Sequence, residues 1–273
     1  MAKTIVITGG NSGIGLEVAR QLSRDGHHVI LLGRDEGKGA QAVEELTKAG
    51  GTAEFWTVDL GTHAGVKAAA ESLAQSHPKI DALVLGAGVL TFRDLRTPDG
   101  LHPVFAVNYL SRYHLAQRLL PQLRAAGAST VVLLVAGVSL KARINFKVFP
   151  RFDPFPGPQV LSSIQIANHH YVAHLARTEP SVRAAVANVG LVRTDILRTM
   201  SPGVRGLFNL LAPLMAIPVE KSASNAAWLT THDGWRSGSY WGKPGQPAQA
   251  TALALDPEVT SRVVSISREL TGA

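Results

Sequence analysis

Thr8-Gly9-Gly10-Asn11-Ser12-Gly13-Ile14-Gly15 is the stretch on which the fold turns. The apolar run Thr4–Thr8 enters it as a strand, and residues 14–24 leave it with apolar positions at three- and four-residue spacing, the period of an amphipathic helix. A turn without side chains lets the backbone approach a pyrophosphate. Its N–H groups and the positive end of the helix dipole then stabilise the phosphate charge. Thr8, Gly9, Asn11, Ser12, Gly13, Ile14 and Gly15 are therefore the expected cradle of a dinucleotide.

Beyond the turn the same alternation continues to the end of the chain. Further strands are expected at 28–32, 54–58, Ala82–Leu85, 130–135, 184–188 and Ser239–Trp241, and helices at 37–48, 64–75, 105–119 and 159–177. Strand and helix in alternation predict an α/β fold, a Rossmann-type doubly wound parallel sheet with helices on both faces. A chain of 273 residues fits a single domain, 1–273. Two segments break the rhythm, 140–158, dense in Lys, Arg, Phe and Pro, and 193–218, and both are expected to cover the substrate, 193–218 as a lid.

Composition narrows the classes of function. With 45% hydrophobic and 17% charged residues the chain reads as globular. Its net charge of +7 is dispersed, without the basic run or interleaved aromatics of a nucleic-acid surface, so no nucleic acid is expected as a partner. The absence of cysteine excludes disulfides, thiolate nucleophiles and Cys-based metal sites. No signal-peptide pattern or apolar stretch of about 18 residues is seen, and the cytoplasm is the expected location. The apolar run 207–217 is too short to span a membrane and lacks a basic face, so membrane contact is not expected.

After the second strand come Gly33-Arg34-Asp35, where the adenosine ribose is normally read. An Arg there can pair with a 2′-phosphate, which makes NADP the expected cofactor, with NADPH preferred over NADH; the rival role for Arg34 is an exposed cation at a helix start. Asp59-Leu60 closes the third strand, where a carboxylate can accept from the adenine amino group and Leu60 can pack on the ring. Capping the next helix is the rival role for Asp59.

Together with Ala87-Gly88, Val107-Asn108-Tyr109-Leu110, Ala167-Asn168, Gly190-Leu191-Val192-Arg193-Thr194 and a tail helix ending Ser267-Arg268-Glu269-Leu270-Thr271-Gly272, these motifs resemble the classical short-chain dehydrogenase/reductases. The likeness is strongest to the retinol dehydrogenase-like and WW-domain oxidoreductase-like branch. It implies that Ala87 and Gly88 border the cofactor, that Thr194 contacts the nicotinamide carboxamide, and that Asn108 is the catalytic Asn holding a water of the proton relay through a local irregularity in its helix. An ordinary helix-side amide is the alternative for Asn108. It also implies a homo-oligomer built through helices flanking the sheet.

The catalytic pattern departs from the family. Tyr-x-x-Ser-Lys-x-Ala-Asn, laid on residues 161–168, puts Leu161 at the Tyr and Gln165 at the Lys, and Ala136 or Gly137 stands where a Ser ends the fifth strand. Leu85-Gly86 replaces the usual Asn-Asn, which would loosen the packing beneath the nicotinamide ribose. A positioned general acid contributes about 10²- to 10⁴-fold in rate, so ordinary carbonyl reduction should be severely weakened. Ser139, Lys141, Ser162 and Ser163 are the candidate substitute donors, Ser139 the preferred one, against plainer roles as a loop hydroxyl for Ser139 and as helix-start caps for Ser162 and Ser163. His170 and His174 have the i, i+4 spacing of metal ligands but no third ligand, and no metal is expected. The expected activity is that of an enzyme of specialised metabolism acting on a bulky apolar small molecule, by atypical hydride transfer or a non-redox rearrangement. The alternative is a catalytically inactive dinucleotide sensor or scaffold.

Overall fold

The apolar runs pair into one eight-stranded sheet: β1 (Thr4–Thr8), β2 (His28–Gly33), β3 (Thr52–Thr57), β4 (Ala82–Leu85), β5 (Ser129–Val135), β6 (Val182–Asn188), β7 (Ser239–Trp241) and β8 (Ala250–Ala252), in spatial order β3-β2-β1-β4-β5-β6-β7-β8. The computed structural model describes residues 2–137, 139–190, 192, 216–246 and 250–273. Every pairing is parallel except β7 with β8. All seven residues of β5 are buried, the continuous apolar strand that a parallel sheet covered on both faces demands. Strand order reverses between β1 and β4, and the crevice outside their carboxyl ends is where such sheets bind ligands.

Helices cover both faces. On one, α1 (Gly13–Arg24), α2 (Glu36–Lys48) and α8 (Val219–Thr231) bury Val18, Leu22, Leu46, Ala223, Ala226 and Leu229 against β1, β2 and β6. On the other lie α3 (His63–Ser76), α4 (Pro103–Phe105), α5 (Ser111–Arg118), α6 (Leu120–Ala125), α7 (Val160–Thr178) and α9 (Pro257–Thr271). Local signals set the ends of α9: Asp256 accepts from the N–H of Glu258 at 2.8 Å, Pro257 occupies the first turn, and Gly272 stops the helix with φ of +65°. Packed over α5 and α7, α9 ties down Tyr109, which donates to the Ser267 hydroxyl at 2.8 Å, and Tyr113, whose hydroxyl bonds the carbonyl of Ala273 at 3.1 Å.

The expected helix 105–119 is not continuous. Residues Ala106–Leu110 form a π turn between α4 and α5. Its cause is tertiary, because Asn168 on α7 donates to the Asn108 carbonyl at 3.1 Å, a bond that competes with the ordinary helical ladder. The segment 140–158 buries Phe149 and Phe152 edge-on against Phe105. The expected lid lies mostly outside the described residues, as does the apolar run 207–217 apart from its last two positions. No helix among the described residues is long and apolar enough to cross a membrane.

Two buried histidines give the fold an acid-sensitive term. Burial, with Arg118 nearby, holds His114 down to about 4, and burial, with His169 nearby, holds His170 down to about 4. Between the ordinary value of 6.5 and about 4 the unfolded chain takes up protons that the folded chain refuses. Stability is therefore expected to fall as pH drops through that window, by up to about 3 kcal/mol per histidine. Urea unfolding midpoints measured across that window check this, and His170→Asn should flatten the slope.

Candidate functional site

The crevice at the carboxyl ends of β1, β2 and β4 is built by close backbone contacts. Gly9 has φ of +71°, and a Cβ on it would stand 3.0 Å from the Ala87 Cα; a Cβ on Gly15 would stand 2.3 Å from the Gly9 carbonyl oxygen. Only hydrogen fits at Gly15, which is why the turn packs against the first turn of α1. Ser12 precedes α1 in extended backbone and makes no side-chain cap bond, so its hydroxyl does not close off the helix's first N–H groups. That is the arrangement a pyrophosphate needs.

Every residue expected at the cofactor except Thr194 has an observed place. Gly9, Asn11 and Ser12 line the cleft from the first turn, with Arg34 and Leu60 towards β2 and β3, and Ala87 and Gly88 at the end of β4. Gly13, Ile14 and Gly15 form the first turn of α1 just behind them. Thr8 is a brace: its hydroxyl accepts from the N–H groups of Gly86 at 3.0 Å and Ala87 at 3.1 Å, joining the ends of β1 and β4. Asn11 donates to the Asp35 carbonyl at 3.2 Å, closing the floor between the first two turns. Thr194 lies outside the described residues.

At the ribose-reading end, Asp35 is occupied as the N-cap of α2, accepting from the N–H of Lys38 at 3.0 Å. Arg34 is exposed, and no hydrogen-bond or ion-pair partner is seen for it among the described residues. Lys38 lines the cleft one helical turn further on, a cation that sequence reasoning missed although its i+4 spacing from Arg34 was readable. Asp59 does not cap α3; that is done by Thr62, while Asp59 accepts from the N–H of Gly61 at 2.9 Å in a local turn.

Behind the other end of the cleft lies a buried polar chain. Asn108 clamps Val89, accepting from its N–H at 2.8 Å and donating to its carbonyl at 2.9 Å, while its own carbonyl receives the Asn168 amide. Arg112 donates to the carbonyls of Leu134 at 2.7 Å and Ala87 at 3.0 Å, with Asn168 Oδ1 at 3.4 Å. Neither Asn168 nor Arg112 was foreseen as part of the site; the Ala-Asn motif marked the first, and nothing local marked the second. Leu85-Gly86 does not loosen this region. The Leu134 side chain fills the space over Gly86, where a Cβ would meet it at 3.0 Å.

Neither Leu161 nor Gln165, which the sequence pattern laid on the family's Tyr and Lys, is ionisable. Leu161 is half-buried on the main core, and Gln165 keeps a buried Oε1 with no partner among the described residues, an acceptor where the resemblance led one to expect an ammonium donor. Ser139 is exposed and its Oγ accepts from the N–H of Lys141 at 3.2 Å, whereas Ser162 donates to the Gln159 carbonyl at 2.9 Å in the first turn of α7. None of the chain's four tyrosines has been recruited. Tyr109 and Tyr113 are bound towards α9. Tyr171 is fully buried, accepts from Gln117 at 3.2 Å and has its ionisation pushed up by burial. Tyr240 sits on β7 beside His169. His170 bonds Thr260 at 2.8 Å, and no cluster of three or more metal-ligating side chains that could hold a metal is found among the described residues.

The short chain dehydrogenase family model matches residues 3–150, more than half of the chain. Mouse retinol dehydrogenase 14 is 29% identical, over 99% of this chain and 86% of that protein. Among solved structures, L-sorbose reductase from Gluconobacter frateurii, complexed with NADPH and L-sorbose, superposes with a TM-score of 0.70 at 21% identity, over 91% of this chain and 97% of that one. A 7α-hydroxysteroid dehydrogenase complexed with NADH superposes at 0.68 and 21% identity, over 89% of this chain and 93% of that one. With its sheet order, its glycine turn against α1 and this match, the chain belongs to the short-chain dehydrogenase/reductase family of NAD(P)-dependent oxidoreductases.

Proposed function

We propose that this protein binds NADP(H) and acts on a bulky, largely apolar small molecule in specialised metabolism, by hydride transfer with an unusual proton source or by a non-redox rearrangement such as cyclisation. The observation that carries this reading is an adenosine end still equipped for a phosphate, with Arg34 exposed and Asp35 turned to capping, beside a relay with Leu161 and Gln165 in the proton-handling places. When bound, the cofactor supplies or withdraws hydride; the chain's residues bind it, orient it and exclude water. Mouse retinol dehydrogenase 14, named for an apolar alcohol, supports the substrate class, while NADPH in one structural neighbour and NADH in another leave the cofactor preference to Arg34.

Among the candidate donors, Ser139 is preferred. Its oxygen accepts from the backbone, which leaves its proton for a substrate oxygen, whereas the Ser162 proton is committed to Gln159. Asn108 serves by fixing the Val89 backbone beside the ring site. Thr194 is retained in this reading as the carboxamide contact, with residues 193–218 as lid. A homo-oligomer would use surface other than the faces of α5 and α7 that α9 covers.

A catalytically silent sensor or scaffold is the second reading, favoured by Leu161 packing on the core at the donor position. Both readings share a cofactor test. Fluorescence titration should show NADPH binding at least about tenfold tighter than NADH, and Arg34→Asp should weaken NADPH by about 10- to 100-fold with little effect on NADH. Equal affinities in the wild type, unchanged in the variant, would remove the phosphate role from Arg34.

A further inference from the structure

Arg112 is 5% exposed, and among the described residues no carboxylate lies within ion-pair distance of it. Among the described residues its guanidinium is held only by oxygens without formal charge, the carbonyls of Leu134 and Ala87 and the amide oxygen of Asn168, and its Nε has no partner there. Desolvation pushes its pKa down to about 9, which leaves it cationic at neutral pH. A buried cation without a counter-charge is costly, and such a group is retained where its field has a use.

Its position indicates that use. The guanidinium bridges the carboxyl ends of β4 and β5, and one of its acceptors belongs to Ala87, which lines the cleft. The adenosine half is read at β2 and β3 by Arg34 and Leu60, so the nicotinamide half falls at the β4 end, the side on which Arg112 lies. An oxidised nicotinamide ring carries a positive charge and a reduced one does not. A fixed cation behind the ring, in a site of low dielectric, therefore disfavours the oxidised form.

We infer that Arg112 is a specificity-determining residue for the oxidation state of the cofactor: its buried charge makes the cleft select NADPH over NADP⁺, so that the resting protein holds the reduced form. The inference rests on the dinucleotide reading of the cleft. The charge acts from α5, in a region where position 165 on α7 no longer carries a cation.

Equilibrium titration of NADPH and NADP⁺ separates the possibilities, because both carry the same 2′-phosphate and differ in ring charge. The wild-type protein is expected to bind NADPH about tenfold tighter than NADP⁺, the effect of a unit charge at roughly 10 Å in a partly polar interior. Arg112→Gln and Arg112→Met should bring that ratio close to one, while Arg112→Lys should keep most of it. A purely structural role would weaken both forms equally and leave the ratio unchanged, which would overturn the inference. Should the neutral variants fail to fold, a wild-type ratio near one overturns it, and a tenfold ratio preserved in Arg112→Lys upholds it. Failure to bind either dinucleotide would refute the cofactor reading itself, whereas equal tight binding of both would refute only the charge assignment.

Discussion

A Leu161→Tyr, Gln165→Lys double variant is expected to reduce generic aldehydes with NADPH about 10²- to 10⁴-fold faster than the wild-type protein. The size follows from what the two positions lack. Leu161 has no proton to give, and Gln165 presents an uncharged amide where an ammonium would lower a phenol's pKa and hold the ribose. Both positions lie in the first two turns of α7, whose following residues Ile164, Ile166 and Ala167 are buried and fix the helix in place. The new side chains should therefore arrive on an unshifted frame. Each single variant should gain much less than the pair, because a tyrosine without its lysine keeps an ordinary pKa. Steady-state NADPH consumption with benzaldehyde checks this, and no gain in a folded, NADPH-binding double variant would show that the register placing these residues at the relay is wrong.

Gly15→Ala is expected to lower NADPH affinity by at least about 100-fold and to cost on the order of 3 kcal/mol in stability. The added methyl would stand 2.3 Å from the Gly9 oxygen and 2.8 Å from its carbonyl carbon, both backbone atoms that cannot rotate away. The turn must open, carrying with it the contact of Gly9 with Ala87 that shapes the cleft floor. Gly37→Ala is the matched control. Its Cβ would meet only Asp35 Oδ1, at 3.5 Å, on an exposed helix position, so binding and melting temperature should stay within error or rise slightly. Isothermal titration and thermal melts of both variants give the comparison.

How much of this was legible in the sequence varies with the physics behind each element. Thr4–Thr8, Ala82–Leu85 and Ser239–Trp241 were readable to the residue, being short apolar runs with clear breaks. The edge strand β3 was placed two residues late, since Thr52 and Ala53 carry little apolar signal. The exposed strand β8 carries none. Helix α8 went unseen because Ser222, Ala223, Ala226 and Ala227 pack by being small, and small residues draw no hydrophobic period. Most of α9 was missed despite the Asp256-Pro257 start, a local cap signal that was available to be read.

The site divides in the same way. The glycine turn and Arg34 are local chemistry and could be read from spacing alone. Arg112 could not, because an arginine in a helix reads as surface until three oxygens from distant parts of the chain are seen to enclose it. An irregularity in the helix at Asn108 followed from the resemblance and is there as the π turn, but the bond from Asn168, 60 residues away, could not be read. Thr8 is the instructive intermediate case: its place beside the cofactor was legible, but its work as a brace for the Gly86 and Ala87 backbone required the fold.

Single-turnover kinetics on the preformed wild-type complex with NADPH test most directly whether the nucleotide is held while the usual proton relay is gone. Saturable binding of one NADPH per chain, with no hydride lost to a generic aldehyde above the protein-free rate, is the predicted result. Turnover within the ordinary enzyme range of about 1 to 10³ s⁻¹, or a protein that never takes up NADPH, would contradict it.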